Sequence, residues 1–390
     1  MTKNLLYLFL LGSIFLSSCE TEIDTIAEYK DITVVYGLLN PNDTIHYVRI
    51  TKAFSGEGNA YDLASNANNF YYADGELSVT IDEYDASDIF KRSFSLTRVD
   101  VSGVIPKDDG TFDNSQNVLY KFTEPNLKQD YTYKLKIVNS KLGKEITSET
   151  KLANNPSLSN LSQMGKIKVA NSNGSSLTHT FSIQPSLNSG RVKLYFIFNY
   201  TEHYTDTNII PIQKHVRISL GEQKTTSNDG GEILSFSLEG KDFFDALKGN
   251  IPETVPNLKS RNISNGMLEV IAAGTALSTY IAVNEPSTSV NQNKPEFTNL
   301  TNGLGVFSSR TTKLLYTPSL AFSLTNPTIE NSFGFDTDGQ VNYDDNTLKA
   351  LLTLGLEFCN PRNNNPSLPF APPAPRCEDI VTNWSSINPE

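Results

Sequence analysis

The chain is poor in the residues that metal and redox chemistry use: three cysteines and four histidines stand among 390 residues. His46, His179, His203 and His215 fall in no HExxH, HxH or other ligand spacing. A motif-borne zinc or copper centre is therefore not expected, because such sites need several donors at fixed offsets. His203, between Glu202 and Tyr204, reads as a histidine on a strand rim. No GxSxG elbow and no S-x-x-K with partner motifs occurs, so a serine nucleophile has no local support. Gly303-Leu304-Gly305 lacks the third glycine and the strand-to-helix setting of a phosphate loop, and reads as close backbone packing. Positive charge is short as well: 32 Lys and Arg against 43 Asp and Glu leave a net charge of −11. A chain so acidic repels phosphates, so nucleic acid is not an expected partner. After Phe15 no apolar run reaches the roughly 20 residues that a membrane-spanning helix needs.

What is present begins at the N-terminus. Lys3, the apolar run Leu5 to Phe15, and Leu16-Ser17-Ser18-Cys19 form a secretory signal peptide over residues 1–18. The Leu-Ser-Ser-Cys stretch resembles the lipobox of bacterial lipoproteins. That resemblance implies that Cys19 takes a diacylglycerol, becomes the first mature residue and receives a further acyl chain. Two or three chains anchor stably in a lipid leaflet, at about 0.8 kcal/mol per buried methylene. Losing Lys3 with the leader takes the formal charge from −11 to −12. Residues 19–30 carry Glu20, Glu22, Asp24 and Glu28 and have little to bury, so they read as a solvated tether. Acidic residues placed there resemble the surface-export signals of Bacteroidota lipoproteins. A plain spacer is the other reading.

Cys359 and Cys377 remain, separated by a loop rich in Asn and Pro. Export puts them in an oxidising space, and a disulfide closing that short loop contributes about 3 kcal/mol in the loop-entropy model. The spacing is not CxxC and no histidine lies near, which disfavours a metal or redox role.

Short alternating runs dominate the rest. Ile32 to Leu39 and His46 to Ala53 flank the turn cluster Asn40-Pro41-Asn42-Asp43 and read as a hairpin. Strands follow at Leu77 to Ile81, Phe90 to Leu96, Val118 to Phe122, Tyr131 to Ile137 and Lys144 to Leu152. About seven short strands in this space predict an immunoglobulin-like β-sandwich over residues 31–153, with Ser55 to Phe70 as an inserted loop. Ala153 to Ser157 marks a boundary, and residues 157–390 predict a second β-rich domain with two or three short helices. Its strands are Thr178 to Gln184, Arg191 to Tyr200, His215 to Leu220, Ile233 to Leu238, Met267 to Ala272, Gly303 to Ser309 and Lys313 to Tyr316. Its helices are Gly240 to Gly249, Thr275 to Asn284 and Thr347 to Leu354, each with apolar residues at helical spacing. The expected class is thus mainly β.

Four segments occur in order: the lipobox, Val34-Val35-Tyr36-Gly37, Leu277-Ser278-Thr279-Tyr280-Ile281, and Asn299-Leu300-Thr301-Asn302-Gly303-Leu304-Gly305-Val306-Phe307. Together they resemble an uncharacterised outer-membrane lipoprotein family of Bacteroidota, often encoded near TonB-dependent transporters. Tyr36 stands where that family usually has glutamate. The resemblance implies a location and a fold class, and no activity. Such bacteria also O-glycosylate exported proteins, and Thr25 in Asp24-Thr25-Ile26 and Thr44 in Asp43-Thr44-Ile45 are weak candidate sites by the same resemblance.

Two further segments carry candidate site residues. Asp336, Asp338 and Asn342 stand near Gly339 with oxygen donors at alternate positions, as in a calcium loop. The closing glutamate is missing, and a polar turn is the plainer reading. Phe70-Tyr71-Tyr72 and Tyr195 to Tyr204 offer a glycan-stacking face if exposed, and core if not. No cofactor is expected. The leading functional expectation is a non-catalytic binding or accessory module, anchored to outer-membrane lipid through Cys19. Its expected partner is a TonB-dependent transporter or another envelope protein, with a glycan or peptide as a further ligand. The alternatives are a glycan-acting hydrolase whose carboxylate pair is not visible in sequence, and a structural envelope protein.

Overall fold

The computed structural model describes residues 32–53, 59–159, 167–285, 296–315 and 343–359. Cys19, Thr25, Asp336, Asp338, Asn342 and Cys377 lie outside these residues. The chain is mainly β, as its alternating sequence predicts.

β1 (Thr33–Leu39) and β2 (Ile45–Lys52) form the expected hairpin, with Val35 opposite Ile50 and Gly37 opposite Val48. Its turn is held by Asn40, whose Oδ1 accepts from Asn42 N at 3.1 Å while its Nδ2 donates to Asp43 Oδ1 at 2.9 Å. The segment expected as a loop instead carries α1 (Ala60–Ala64) and α2 (Ala67–Phe70), capped by the side chains of Asn59 and Asn66. Each is too short for a helical period to register in sequence.

β3 (Leu77–Tyr84), β4 (Phe90–Ser95), β5 (Thr97–Asp100), β6 (Val118–Thr123), β7 (Thr132–Asn139) and β8 (Lys144–Lys151) complete two sheets. One contains the run β1-β2-β6-β5, and the other is β4-β3-β7-β8. Val35, Val48, Ile50 and Phe122 of the first meet Val79, Ile81, Leu135, Ile137 and Ile146 of the second in one core. This is the two-layer burial that period-two alternation dictates. Tyr133, at the start of β7, is fully buried. Its hydroxyl accepts from Lys128 N at 2.7 Å and lies 3.0 Å from Glu83 Oε2. Strand order and this tyrosine are compatible with an immunoglobulin-like sandwich.

Beyond residue 153 come β9 (Ser157–Leu158), β10 (Thr178–Gln184), β11 (Ser189–Tyr204), β12 (Ile212–Lys224), β13 (Leu234–Glu239), α3 (Gly240–Asn250) and β14 (Leu258–Gly274). α4 (Thr275–Asn284), β15 (Leu304–Leu315), α5 (Asp345–Leu352) and β16 (Phe358–Cys359) follow. β11 and β14 pair along most of their length. Phe196 and Phe198 of β11, Phe236 of β13, Phe243 and Leu247 of α3, and Leu348 and Leu351 of α5 build a second core. α5 starts where Asp344 Oδ1 accepts from Thr347 N at 3.0 Å.

β15 is one continuous strand, not the two that its sequence suggests. Its first half runs parallel to β1, with Val35 opposite Gly305 and Gly37 opposite Phe307. Its second half runs antiparallel to β14, with Ala272 opposite Thr311. A nine-stranded sheet results, in the order β12-β11-β14-β15-β1-β2-β6-β5, with β16 beside β14. Hydrogen bonding thus crosses the boundary expected at residues 153–157, because residues 304–309 extend the first sheet. Side chains fasten the same seam. Ser309 Oγ accepts from Ala153 N at 2.6 Å and donates to Lys151 O at 3.1 Å, and Thr311 Oγ1 donates to Asn155 Oδ1 at 2.6 Å.

Candidate functional site

Between β5 and β6 the chain makes an excursion over residues 101–117 that begins and ends on Asp100, whose Oδ1 accepts from Ser102 N at 3.0 Å and Asn117 N at 2.9 Å. Asn117 is buried. Its Nδ2 donates to Ile105 O at 2.7 Å, and its Oδ1 accepts from Arg49 Nη2 on β2 at 2.9 Å. The excursion folds back over α2. Lys107 Nζ lies 5.2 Å from the Phe70 ring centroid and 5.8 Å from that of Tyr71, and donates to Asp113 O. Phe112 meets Phe70 edge-on at 5.7 Å.

A cleft of about 360 Å³ opens there, lined by Arg49, Lys107 and Asn117 together with Ile105, Pro106 and Phe112. The exposed Asp108 is its one acidic lining residue. Among the described residues no carboxylate stands within ion-pair distance of Arg49 or Lys107. The Lys107 ammonium is pushed below its ordinary value by burial and by the neighbouring Arg49 guanidinium, against the pull of Asp113. Sequence did not nominate this site: Arg49 and Lys107 sit on different elements, and only the fold brings them together.

The segments that carry the family resemblance meet elsewhere, and their residues serve the architecture. Gly305 has φ +108°, and a Cβ there would sit 2.1 Å from Val35 O, so the expected close packing is found. A Cβ on Gly37 would lie 2.9 Å from Phe307 Cδ2. The Asn299 side chain brackets Phe307 as a strand partner would, giving Nδ2 to Phe307 O at 2.7 Å and accepting from Phe307 N at 3.0 Å. Thr301 exchanges both backbone hydrogen bonds with Thr147 of β8. Asn302, at φ +60°, donates to Glu145 O at 3.0 Å. On α4, Leu277 N donates to Ser308 Oγ at 3.1 Å, and the Tyr280 hydroxyl lies 3.2 Å from that of Tyr36. Burial and that contact push the Tyr36 phenol up to about 12.

The other candidates are placed as follows. Phe70, Tyr71 and Tyr72 are buried, which removes them as an exposed stacking face. Tyr200 is buried too, while Tyr195 is half-buried beneath the Arg217 guanidinium, 3.3 Å from its ring centroid. His203 is buried opposite Ser260 of β14, not on a rim. His46 stacks on Phe122 at 4.8 Å, with Nε2 2.9 Å from Glu124 O. Burial lowers the proton affinity of His46, His179 and His203 alike. Thr44 is exposed at the end of the first hairpin turn. Cys359 is buried on β16, its Sγ 2.7 Å from Asn262 Oδ1. Among the described residues no three or more His, Cys, Asp or Glu side chains converge on a metal-sized site, and no helix is long and apolar enough to cross a membrane.

Two buried carboxylates are fully engaged. Glu202 Oε1 pairs with Arg261 Nε at 3.0 Å, and Oε2 accepts from Lys214 at 2.7 Å and Tyr204 at 2.9 Å. Arg261 spends its other nitrogens on Leu356 O and Pro252 O, tying two loops to β14. Burial works to raise the Glu202 carboxyl, yet these hydrogen bonds outweigh it and hold it below its ordinary value. Glu83 takes a two-pronged contact from Arg92, at 2.9 and 3.1 Å. A carboxylate held ionised by fixed partners braces the fold and makes a poor general acid. Against known proteins, no family model matches the chain, and no curated protein matches it.

Proposed function

We propose that the protein is a lipid-anchored envelope protein, held in the outer membrane through Cys19, with an immunoglobulin-like sandwich as its N-terminal part. In this reading it is a non-catalytic binding or accessory module of a transporter-associated complex. The observation that carries the binding role is the cleft, where a buried asparagine aims a guanidinium beside an ammonium and an exposed aromatic ring. Pre-set polar groups in a small concave site are what ligand recognition needs. A Cys359–Cys377 disulfide would staple the segment after β16.

Two measurements test this. Cells fed labelled palmitate should label the wild-type chain, and Cys19→Ala should lose both label and membrane association. Affinity capture from detergent-solubilised outer membranes should recover a TonB-dependent transporter or another envelope protein in stoichiometric amount. Retention of Cys19→Ala in the membrane fraction, or capture of nothing, would overturn the proposal.

A further inference from the structure

We propose that the cleft between β2 and the 101–117 excursion binds a single carboxylate attached to a small apolar body. The inference rests on the binding-module reading and names its ligand chemistry. Placing a lysine next to an arginine is unfavourable unless something negative comes between them. A chain with 43 acidic residues offers many carboxylates, yet among the described residues none pairs with Arg49 or Lys107. Arg49 gives one edge of its guanidinium to Asn117, and the rest of its planar fork of donors is the shape that takes a carboxylate on two oxygens. Lys107 is fixed by the Asp113 carbonyl and the Phe70 and Tyr71 rings, so its orientation is set in advance.

Charge and size narrow the ligand. Two cations stand against the one lining acid, Asp108, and Asp113, outside the lining, also pulls on Lys107, so the positive excess is at most one charge; a monoanion matches it and a dianionic phosphate exceeds it. The remaining wall is apolar: Ile105, Pro106 and the half-open ring of Phe112 face the same space. A volume of about 360 Å³ lies at the small end for ligand sites, enough for one acid group and one aromatic or branched aliphatic side chain. Two sources present this chemistry: a free organic acid, and the C-terminal residue of a peptide.

Calorimetric titration of the full lipidated chain in detergent micelles tests the proposal. The probes are 4-phenylbutyrate for the free acid, N-acetyl-phenylalanine for a peptide C-terminus, the amide of N-acetyl-phenylalanine, and inorganic phosphate. At least one carboxylate should bind, and the amide should bind at least tenfold more weakly than its parent acid. The tighter of the two acids identifies the source. Arg49→Gln should weaken binding at least tenfold and Lys107→Gln severalfold, whereas Lys141→Gln, on an exposed turn, should change nothing. Equal binding of acid and amide, tighter binding of phosphate than of either acid, or no binding of either acid at millimolar concentration would overturn the proposal. So would full affinity in Arg49→Gln, or, should that variant lose its native circular dichroism, in Lys107→Gln. Capture of an envelope partner by wild type and Arg49→Gln alike, with no carboxylate bound, would sink this inference and leave the binding-module reading standing.

Discussion

Gly305 sits where two backbones touch, and no other residue type fits there. Its φ of +108° is strained for any side chain, and a Cβ would lie 2.1 Å from Val35 O. Gly305→Ala should therefore cost at least about 2 kcal/mol, read as a lower urea midpoint with unchanged slope. Tyr133→Phe should cost about 1–3 kcal/mol, because it leaves Lys128 N and one oxygen of the buried Glu83 short of a partner. A midpoint unchanged in either variant would contradict the contact it removes. At this scale the sequence was informative where chemistry leaves one option: a Gly-Leu-Gly inside apolar neighbours reads as backbone contact, and is. It was less so where burial decides. Phe70, Tyr71 and Tyr72 carry the same letters whether exposed or packed, and only the fold puts them inside.

β15 shows what an element can hide. Alternation exposed the longer strands and missed the short β5, β9 and β16, while β15 reads as two because Arg310, Thr311 and Thr312 interrupt its apolar run. Thr311 is fully buried, its hydroxyl satisfied by Asn155 and Asn42, and this partnership has no sequence signature. The strand serves two masters, covering the edge of β1 with one half and of β14 with the other. A fragment ending at residue 158 should therefore leave the β1 edge open, and it should self-associate on size-exclusion chromatography or unfold at lower urea than the whole chain. A monomeric fragment as stable as the parent would show that the shared strand is dispensable. The short helices α1 and α2, at five and four residues, lie below the length at which periodicity can be read.

For the molecule as a whole, pH is the informative variable. His46 and His203 are buried and His179 is half-buried, and burial depresses the affinity of each for a proton below the ordinary value of 6.5. Unfolded, they protonate near 6.5; folded, only at lower pH. Between those values the unfolded chain binds more protons, so stability is full above about pH 6.5 and declines as pH falls through the folded values. Urea midpoints should drop from pH 7.5 to 5.5, and His46→Gln should flatten that decline. A midpoint constant over the range would count against the buried-histidine account. Glu202, whose carboxyl is also held low, adds a loss of the same sign only in more acidic solution. The mainly-β class and the small helices were legible as patterns. The single sheet joining both ends was not, because strand partners leave no mark on each other's sequence. The cleft was equally hidden: residues 101–117 fall between two predicted strands, and nothing in their composition points back to Arg49.

The parallel pairing of residues 33–39 with 304–309 also sets a schedule. A polypeptide that crosses a membrane from its N-terminus delivers one partner at the outset and the other only when most of its length has passed. Contacts that distant close slowly. Until then one edge of β1, its other edge already paired with β2, stays open to association.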